Sequence, residues 1–396
     1  GTFTSTFTTV LFNDPEIDVN VSGIALNSAS TSTMRGDSGV FTGPTYEKDT
    51  VAPNDVVDWP DYVAPPTCNG VPGVIKTVRK PSGGDYTTIQ AAVNSATGTV
   101  MLNSNWCINV DSSTYSEQVT VSSLTFRYST NTFTIQSDPG LAASTWSRVN
   151  PPLLSTAAFL IQSSSVNIYN IAIISTNSVP YGVYASSNYV TLSSVSIDAG
   201  NNITTAGIRI SSYSSVANSS ITVQTALGLW LTGQLSQVSY TSVTASTQWP
   251  LQIDASWNAV SNSYFASTGG NGVELNIGAN YNTISFTTIT TNGGGAALFV
   301  YGASSNTIAS SNISNSNGDG IGVYLNSHYN TISASTITAT VAKAIYLFAS
   351  CSYNTITGSV LSNPGGQVLF LYDNANSNAV NGCTMSGAAP LYIHSS

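Results

Sequence analysis

The stretch Ala279-Asn280-Tyr281-Asn282-Thr283-Ile284 returns as Ser304-Ser305-Asn306-Thr307-Ile308, then as Ser327-His328-Tyr329-Asn330-Thr331-Ile332 and Ser352-Tyr353-Asn354-Thr355-Ile356. Around it, Asn258, Asn282, Asn306, Asn330, Asn354 and Asn378 follow one another at intervals of 24 residues. Backwards, Ser236, Ser214, Asn188 and Ser164 continue the phase at intervals of 22, 22, 26 and 24 residues. A fixed period of this length is the mark of a stacked repeat. Each unit has the same interior. An alternating strand precedes the anchor, as in Val273, Leu275, Ile277 or Ile321, Val323, Leu325 or Ile345, Leu347, Ala349. Apolar residues then fall two and seven positions after the anchor: Ile284 and Ile289, Ile308 and Ile313, Ile332 and Ile337. Period-two alternation in short runs predicts strands. Three short strands per 24 residues make one turn of a parallel β-helix, each turn stacked on the last at about 4.8 Å. The ten registered units from about residue 155 onward would build a rod on the order of 50 Å long. The reading is an all-β fold, a single right-handed parallel β-helix over 67–396, its hand taken from the bias of parallel crossovers. The anchors Asn188, Asn258, Asn282, Asn306, Asn330, Asn354 and Asn378 are expected to form a structural ladder at a bend, where Asn tolerates left-handed backbone.

Composition agrees. Of 396 residues, 109 are Ser or Thr and 37 are Asn, while charged residues are 7%. Small neutral polar groups have replaced charge on the surface. Nine Lys and Arg in a chain of net charge −9 supply no basic face for nucleic acid. No apolar run approaches the roughly 18 residues of a membrane span. His328 and His394 are the only histidines, which disfavours a histidine-based metal site or a Ser-His-Asp triad. No cofactor is expected. Cys68 and Cys107 flank the start of the rod and are expected to pair in a disulfide, whereas Cys351 and Cys383 lie at different phases and are expected to be free and buried. The chain opens at Gly1 rather than Met, read as a mature product after removal of a leader, and hence as an extracellular or cell-surface protein.

The repeat resembles that of the pectin-lyase-like class, in which runs of the form Gly-Ile-x-Val-x-Leu-x-x-Ser-x-x-Asn-Thr-Ile recur. The resemblance covers about residues 70–396. It implies the fold and leaves the function open, because the class holds lyases, hydrolases, esterases, tailspikes and structural proteins. Residues 74–121 resemble the opening of pectinesterases, through Val78-Arg79-Lys80-Pro81-Ser82-Gly83-Gly84-Asp85-Tyr86-Thr87-Thr88-Ile89-Gln90-Ala91-Ala92-Val93 and Tyr115-Ser116-Glu117-Gln118-Val119. That resemblance implies a capping helix near 86–96, with Thr87 or Asp85 as its cap and Ile89, Ala92, Val93 and Ala96 as its apolar face. The catalytic motifs of pectinesterases are missing. Asn317-Gly318-Asp319-Gly320-Ile321 is similar to one acidic strand of polygalacturonases, whose other motifs are also missing.

After residue 200 the only acids are Asp254, Glu274, Asp319 and Asp373, and the only bases are Arg209 and Lys343. Counted from the anchors, Asp254 and Glu274 fall four phase positions and one coil apart, about 10–15 Å by strand rise. On that spacing no catalytic residue is assigned.

Residues 1–66 hold nine of the 18 acids and end in a Pro-rich linker, Trp59-Pro60-Asp61-Tyr62-Val63-Ala64-Pro65-Pro66. They are too few and too polar to bury a core of their own, so they are read as an extended arm that lies on a neighbouring subunit. Two function classes follow. The first is an extracellular structural protein, a homopolymer assembling head to tail into a surface filament. Its expected interface is Phe3, Phe7, Phe12, Ile17, Val19 and Val21 of the arm, an outward stripe of Leu298, Val300, Tyr324, Phe348 and Tyr372, and the last strand at Leu391 and Ile393. The second is a carbohydrate-active or carbohydrate-binding protein. Its support is the fold, and a stack of Trp257, Tyr281, Tyr329 and Tyr353 one residue before the anchors that would offer a polysaccharide platform.

Overall fold

The computed structural model describes residues 67–68, 71–97 and 101–394, with the side chains of 67, 68, 71 and 72 left out. The arm, with Phe3, Phe7, Phe12, Ile17, Val19 and Val21, lies outside the described residues. The rest is a parallel β-solenoid of about 12 turns, with roughly 24 residues per turn. Every pairing between coils is parallel, and the antiparallel exception is Thr67–Cys68 against Val71–Val78.

Each coil contributes a strand to three sheets. The first sheet stacks the strands after the anchors: Ala259–Ser261, Thr283–Ser285, Thr307–Ala309, Thr331–Ser333 and Thr355–Thr357. The second stacks Tyr264–Ser267, Thr288–Thr291, Asn312–Asn315 and Thr336–Ala339. The third stacks Leu227–Leu231, Leu251–Ile253, Val273–Leu275, Leu298–Tyr301, Ile321–Tyr324 and Lys343–Leu347. The alternation read from the sequence becomes in-register ladders. Ile284, Ile308, Ile332 and Ile356 stack in the first sheet, and Ile289, Ile313, Ile337 and Leu361 in the second. All of these are buried. In the third sheet only two positions per strand point inward. Ile277 is 61% exposed, and Leu325 and Ala349 have positive φ, because the chain has already turned out of the strand there.

The bends explain why the anchors are Asn. The carbonyl oxygen of each anchor side chain accepts the backbone N–H of the anchor one coil earlier: Asn258 N to Asn282 Oδ1 at 2.8 Å, Asn282 to Asn306 at 2.8 Å, Asn306 to Asn330 at 2.9 Å, Asn330 to Asn354 at 2.9 Å and Asn354 to Asn378 at 2.8 Å. The Nδ2 groups of Asn330, Asn354 and Asn378 reach back to the carbonyls of Ala303, Ser327 and Cys351. A polar group buried at a corner needs such a partner. Two expectations about this ladder are corrected. The left-handed residue is not the Asn but the residue before it, with φ of 65° at Trp257, 58° at Tyr281, 59° at Tyr329 and 60° at Tyr353. Asn188 is not on the ladder. Val190 is the anchor of that coil: it pairs with Val166, and its N–H goes to Ser214 Oγ at 3.1 Å. Asn188 and Ser164 each stand two residues ahead of the true corner, and Asn188 instead accepts the Ser211 hydroxyl at 3.0 Å.

A second ladder at the next bend uses hydroxyls. Ser263, Ser311, Ser335 and Ser359 accept the N–H of Thr241, Thr287, Ser311 and Ser335. It follows the same rule, a positive-φ residue such as Tyr240 or Phe286 followed by the ladder residue.

The single α-helix among the described residues, Ile89–Thr97, covers the first coils with Ile89, Ala92, Val93 and Ala96 buried. Its cap differs from the expectation of Thr87 or Asp85. Thr88 Oγ1 accepts Ala91 N–H, and the Glu117 carboxylate accepts the N–H groups of Ile89 and Gln90 at 2.9 and 2.8 Å. An anion from another coil thus meets the positive helix end. Asp85 accepts the N–H and the hydroxyl of Thr77 instead. Cys107 is disulfide-bonded and Cys351 and Cys383 are free thiols, Cys351 buried and Cys383 partly so; the Cys68 side chain lies outside the described residues.

The ladder makes a directional prediction. Asn306→Ala leaves the buried N–H of Asn282 without its acceptor and should lower unfolding free energy by about 1–3 kcal/mol. Asn188→Ala, off the ladder, should change it by less than about 0.5 kcal/mol. Urea denaturation of the two variants measures both, and equal losses would contradict a ladder that runs through Val190.

Candidate functional site on the outer face of the third sheet

Between residue 200 and the end of the chain there are six charged side chains: Arg209, Asp254, Glu274, Asp319, Lys343 and Asp373. The solenoid gathers them on one of its three faces. Arg209 and Glu274 lie in third-sheet strands and share one outward row with Trp230 and Gln252, in the order Arg209, Trp230, Gln252, Glu274 on successive coils. Asp254 follows Ile253 at the end of its third-sheet strand, Lys343 opens another, and Asp319 lies just before a third. Asp373 comes directly after Tyr372, where the same sheet ends.

Asp254 and Glu274 are closer than anchor counting gave. Ile253 pairs with Leu275, which sets Asp254 beside Asn276 and leaves Glu274 only two positions away on the next coil. One sheet step of about 4.8 Å and two residues of rise at about 3.3 Å put their Cβ atoms on the order of 8 Å apart. Anchor counting fails because the coil of Glu274 carries two extra residues between its third strand and its anchor, so phase relative to the anchor overstates the separation.

The two carboxyls have different surroundings. Asp254 accepts three N–H groups: Trp230 Nε1 at 2.6 Å, Gln252 Nε2 at 2.7 Å and Asn276 Nδ2 at 3.1 Å. Glu274 is 4% exposed, and its Oε2 is buried without a partner among the described residues. Burial, and then the negative charge of Asp254, push the Glu274 carboxyl up to about 7. A carboxyl that holds its proton near neutrality beside one that is held by three N–H donors is an acid/base arrangement.

Toward the C-terminal coils the same face is aromatic. Here the expected stripe is corrected: Leu298 and Val300 point inward and are buried, and the outward residues of that strand are Phe299 and Tyr301. The strand sits one residue out of parity with the expectation, which exchanges its two faces. Tyr324, Phe348 and Tyr372 do point outward. They form a continuous ring surface with Phe299, Tyr346 and Phe370, in contacts of 5.1–5.9 Å. Gly322 keeps it continuous, since a Cβ there would sit 2.5 Å from the Tyr324 ring. Within it Asp319 accepts Lys343 N–H at 3.0 Å and the Tyr324 hydroxyl at 3.3 Å, and burial raises its carboxyl above the usual range. The Lys343 ammonium lies over the Tyr346 ring at 4.7 Å. Leu391 and Ile393 continue the two inward ladders onto the last described coil, where they are exposed.

The stack one residue before the anchors resolves into pairs. Trp257 and Tyr281 lie 4.3 Å apart and Tyr329 and Tyr353 5.2 Å apart, nearly parallel, and Tyr189 and Tyr213 form a further pair. In each pair one face of each ring rests on its partner, and all six rings stand exposed at left-handed residues. The pair at Tyr189 and Tyr213 escapes the anchor count because Asn188 stands out of phase with the corner. No three His, Cys, Asp or Glu side chains converge among the described residues. No helix there is long and apolar enough to cross a membrane.

The family described as the right-handed β-helix region matches residues 251–396. The chain is a right-handed parallel β-helix. Solved structures share this fold at low identity. The A-module of mannuronan C-5 epimerase AlgE6 from Azotobacter vinelandii is 14% identical, with a TM-score of 0.56 over 76% of this chain and 95% of that one. A DFA-IIIase from Arthrobacter chlorophenolicus A6, in complex with GF2, is 12% identical, with a TM-score of 0.53 over 78% and 93%. The catalytic domain of a GH87 α-1,3-glucanase, in complex with tetrasaccharides, is 14% identical, with a TM-score of 0.51 over 81% and 71%. No curated protein sequence matches this chain.

Glu274 makes stability depend on pH. Its carboxyl is raised from 4.5 to about 7, so between those values the folded protein holds a proton that the unfolded chain has released. That contribution is present at low pH and lost as pH rises through about 7. Glu274→Gln removes the dependence. At pH 8 the variant should be more stable than the native protein by on the order of 2–3 kcal/mol, and at pH 4 the two should agree. Urea denaturation at both pH values measures this, and an equal difference at each would show that the buried carboxyl does not titrate as described.

Proposed function

We propose that this is a carbohydrate-active β-helix protein, and that a glycan chain lies on the outer face of the third sheet beside Asp254 and Glu274. The observation that carries the proposal is the placement of charge. From residue 200 onward the rod is otherwise neutral, collects its six charged side chains on one face and continues that face as a sheet of rings. Charges needed only for solubility would be spread over all three faces. Ring surfaces suit the C–H faces of sugars, and a few fixed polar groups give a site its orientation and chemistry. The similar solved structures act on or hold sugars according to their own descriptions, which favours this reading over a filament subunit. The filament reading rests on the arm, which lies outside the described residues, and on a stripe two of whose members, Leu298 and Val300, are buried.

The reaction the pair suits best is hydrolysis with inversion. Glu274, protonated near neutrality, would give its proton to the departing glycosidic oxygen, and Asp254 would take a proton from the water that attacks the sugar carbon from the other side. Inverting pairs keep their carboxyls about 6.5–9.5 Å apart to leave room for that water, and a Cβ separation on the order of 8 Å suits such a pair. Incubation with a panel of neutral and acidic polysaccharides, followed by chromatography of the products, tests the proposal. Asp254→Asn and Glu274→Gln should each reduce product formation by about 100-fold or more while binding persists. A protein that binds no member of the panel, or one whose turnover survives both changes, would refute it.

A further inference from the structure

Arg209 is held in an unusual way. Its guanidinium lies between two rings, 5.0 Å from the centroid of Tyr184 and 4.6 Å from that of Trp230. Tyr184, Arg209 and Trp230 are in-register neighbours on three successive coils, so the clamp is built into the sheet. Cation–π contacts engage the faces of the guanidinium and leave its in-plane N–H groups unused. Among the described residues those groups find no acceptor: Nε is buried and unpaired, and the one ion pair is elsewhere, Arg79 with Asp138. Asp254, bound to the same Trp230, makes no ion pair with it. A half-buried guanidinium without an acceptor is costly to maintain, and here it is also fixed in orientation. Both features suit a planar anion that arrives from outside and takes two parallel hydrogen bonds.

We infer that Arg209 is the anion-recognition point of this face, and that the glycan bound there is acidic, its carboxylate or sulfate group docking on the fixed guanidinium. This rests on the glycan reading and narrows it to a substrate class. Arg209 and Glu274 stand in one outward row three coils apart, about 14 Å along the rod. The charged sugar is therefore held at a distance from the acid pair and fixes the register of the chain across it. Lysine does not replace arginine here, because an ammonium lacks the planar fork and stacks less well between two rings.

Calorimetric titration of the full chain carrying Glu274→Gln, which prevents turnover, tests the inference. The probes are an oligogalacturonate for carboxylate, a sulfated galactan oligosaccharide for sulfate and a cello-oligosaccharide as the neutral control. One of the two acidic probes should bind, and whichever does identifies the anion. Adding Arg209→Gln should weaken that binding about tenfold or more, and adding Arg209→Lys should weaken it several-fold. The melting temperature of the lysine variant should stay near that of its parent, which keeps the test open if the glutamine variant does not fold. Unchanged affinity for the acidic probe in both arginine variants, with a lower melting temperature, would make Arg209 a structural clamp and overturn the inference. Binding of the neutral probe alone would also overturn it while leaving the glycan reading intact. Binding of none of the three to the parent would overturn both.

Discussion

The rest of this molecule depends on one hydrogen bond, repeated: a side-chain oxygen at a corner accepting the backbone N–H of the corner one coil earlier. A parallel solenoid pairs its strands well on the flats and poorly at the bends, where the backbone leaves the sheet and its N–H groups turn inward. Asn at one corner and Ser or Thr at the next fill that need without bringing in charge. With the corners fixed, the flats can only stack in register. Ile therefore falls on Ile and Val on Leu, and the interior becomes continuous apolar ladders. The left-handed residue ahead of each ladder residue follows from the same geometry, and its outward side chain is free to be aromatic.

This constraint explains how much can be read from the residues. The 24-residue recurrence of Asn282, Asn306, Asn330 and Asn354 is visible because successive corners in this stretch keep the same residue type. The three-strand coil and the helix near Ile89 follow from it and from period-two alternation. The hydroxyl ladder at Ser311 and Ser335 is hidden, because 109 Ser and Thr residues conceal the few that face inward. Two of the misreadings have different sources. Coils differ by two residues in the loops between strands and corners, so counting from an anchor sets Glu274 too far from Asp254. Asn188 is mistaken for a corner because it is an Asn, although the regular interval of 24 residues before Ser214 falls on Val190. Expecting Phe299 inward and Val300 outward is a parity error, which a strand of four residues hardly guards against.

The candidate site is legible as a set of residues and not as a place. The scarcity of charge singles out Arg209, Asp254, Glu274, Asp319 and Lys343 in the sequence itself. That they share a face depends on the register of the third sheet, which the anchors fix only indirectly. What distinguishes them is the local surroundings: three donors on Asp254, none on the buried oxygen of Glu274, and two rings around Arg209. None of these can be inferred from residue type.

Regular coils also turn the rod into a ruler. Distances along the outer row come in whole steps of the sheet, so the interval between Arg209 and Glu274 is an integer number of rungs rather than a continuously adjustable length. Side-chain substitutions change what stands on a rung but not where the rung is. The interval can grow or shrink only by gain or loss of a complete coil, a change the corner ladder would absorb because each coil from Ser214 to Asn378 presents a side-chain acceptor to the one before it. A lineage of such rods would explore ligand length by duplicating whole units, each event moving one recognition group past another by a single strand spacing.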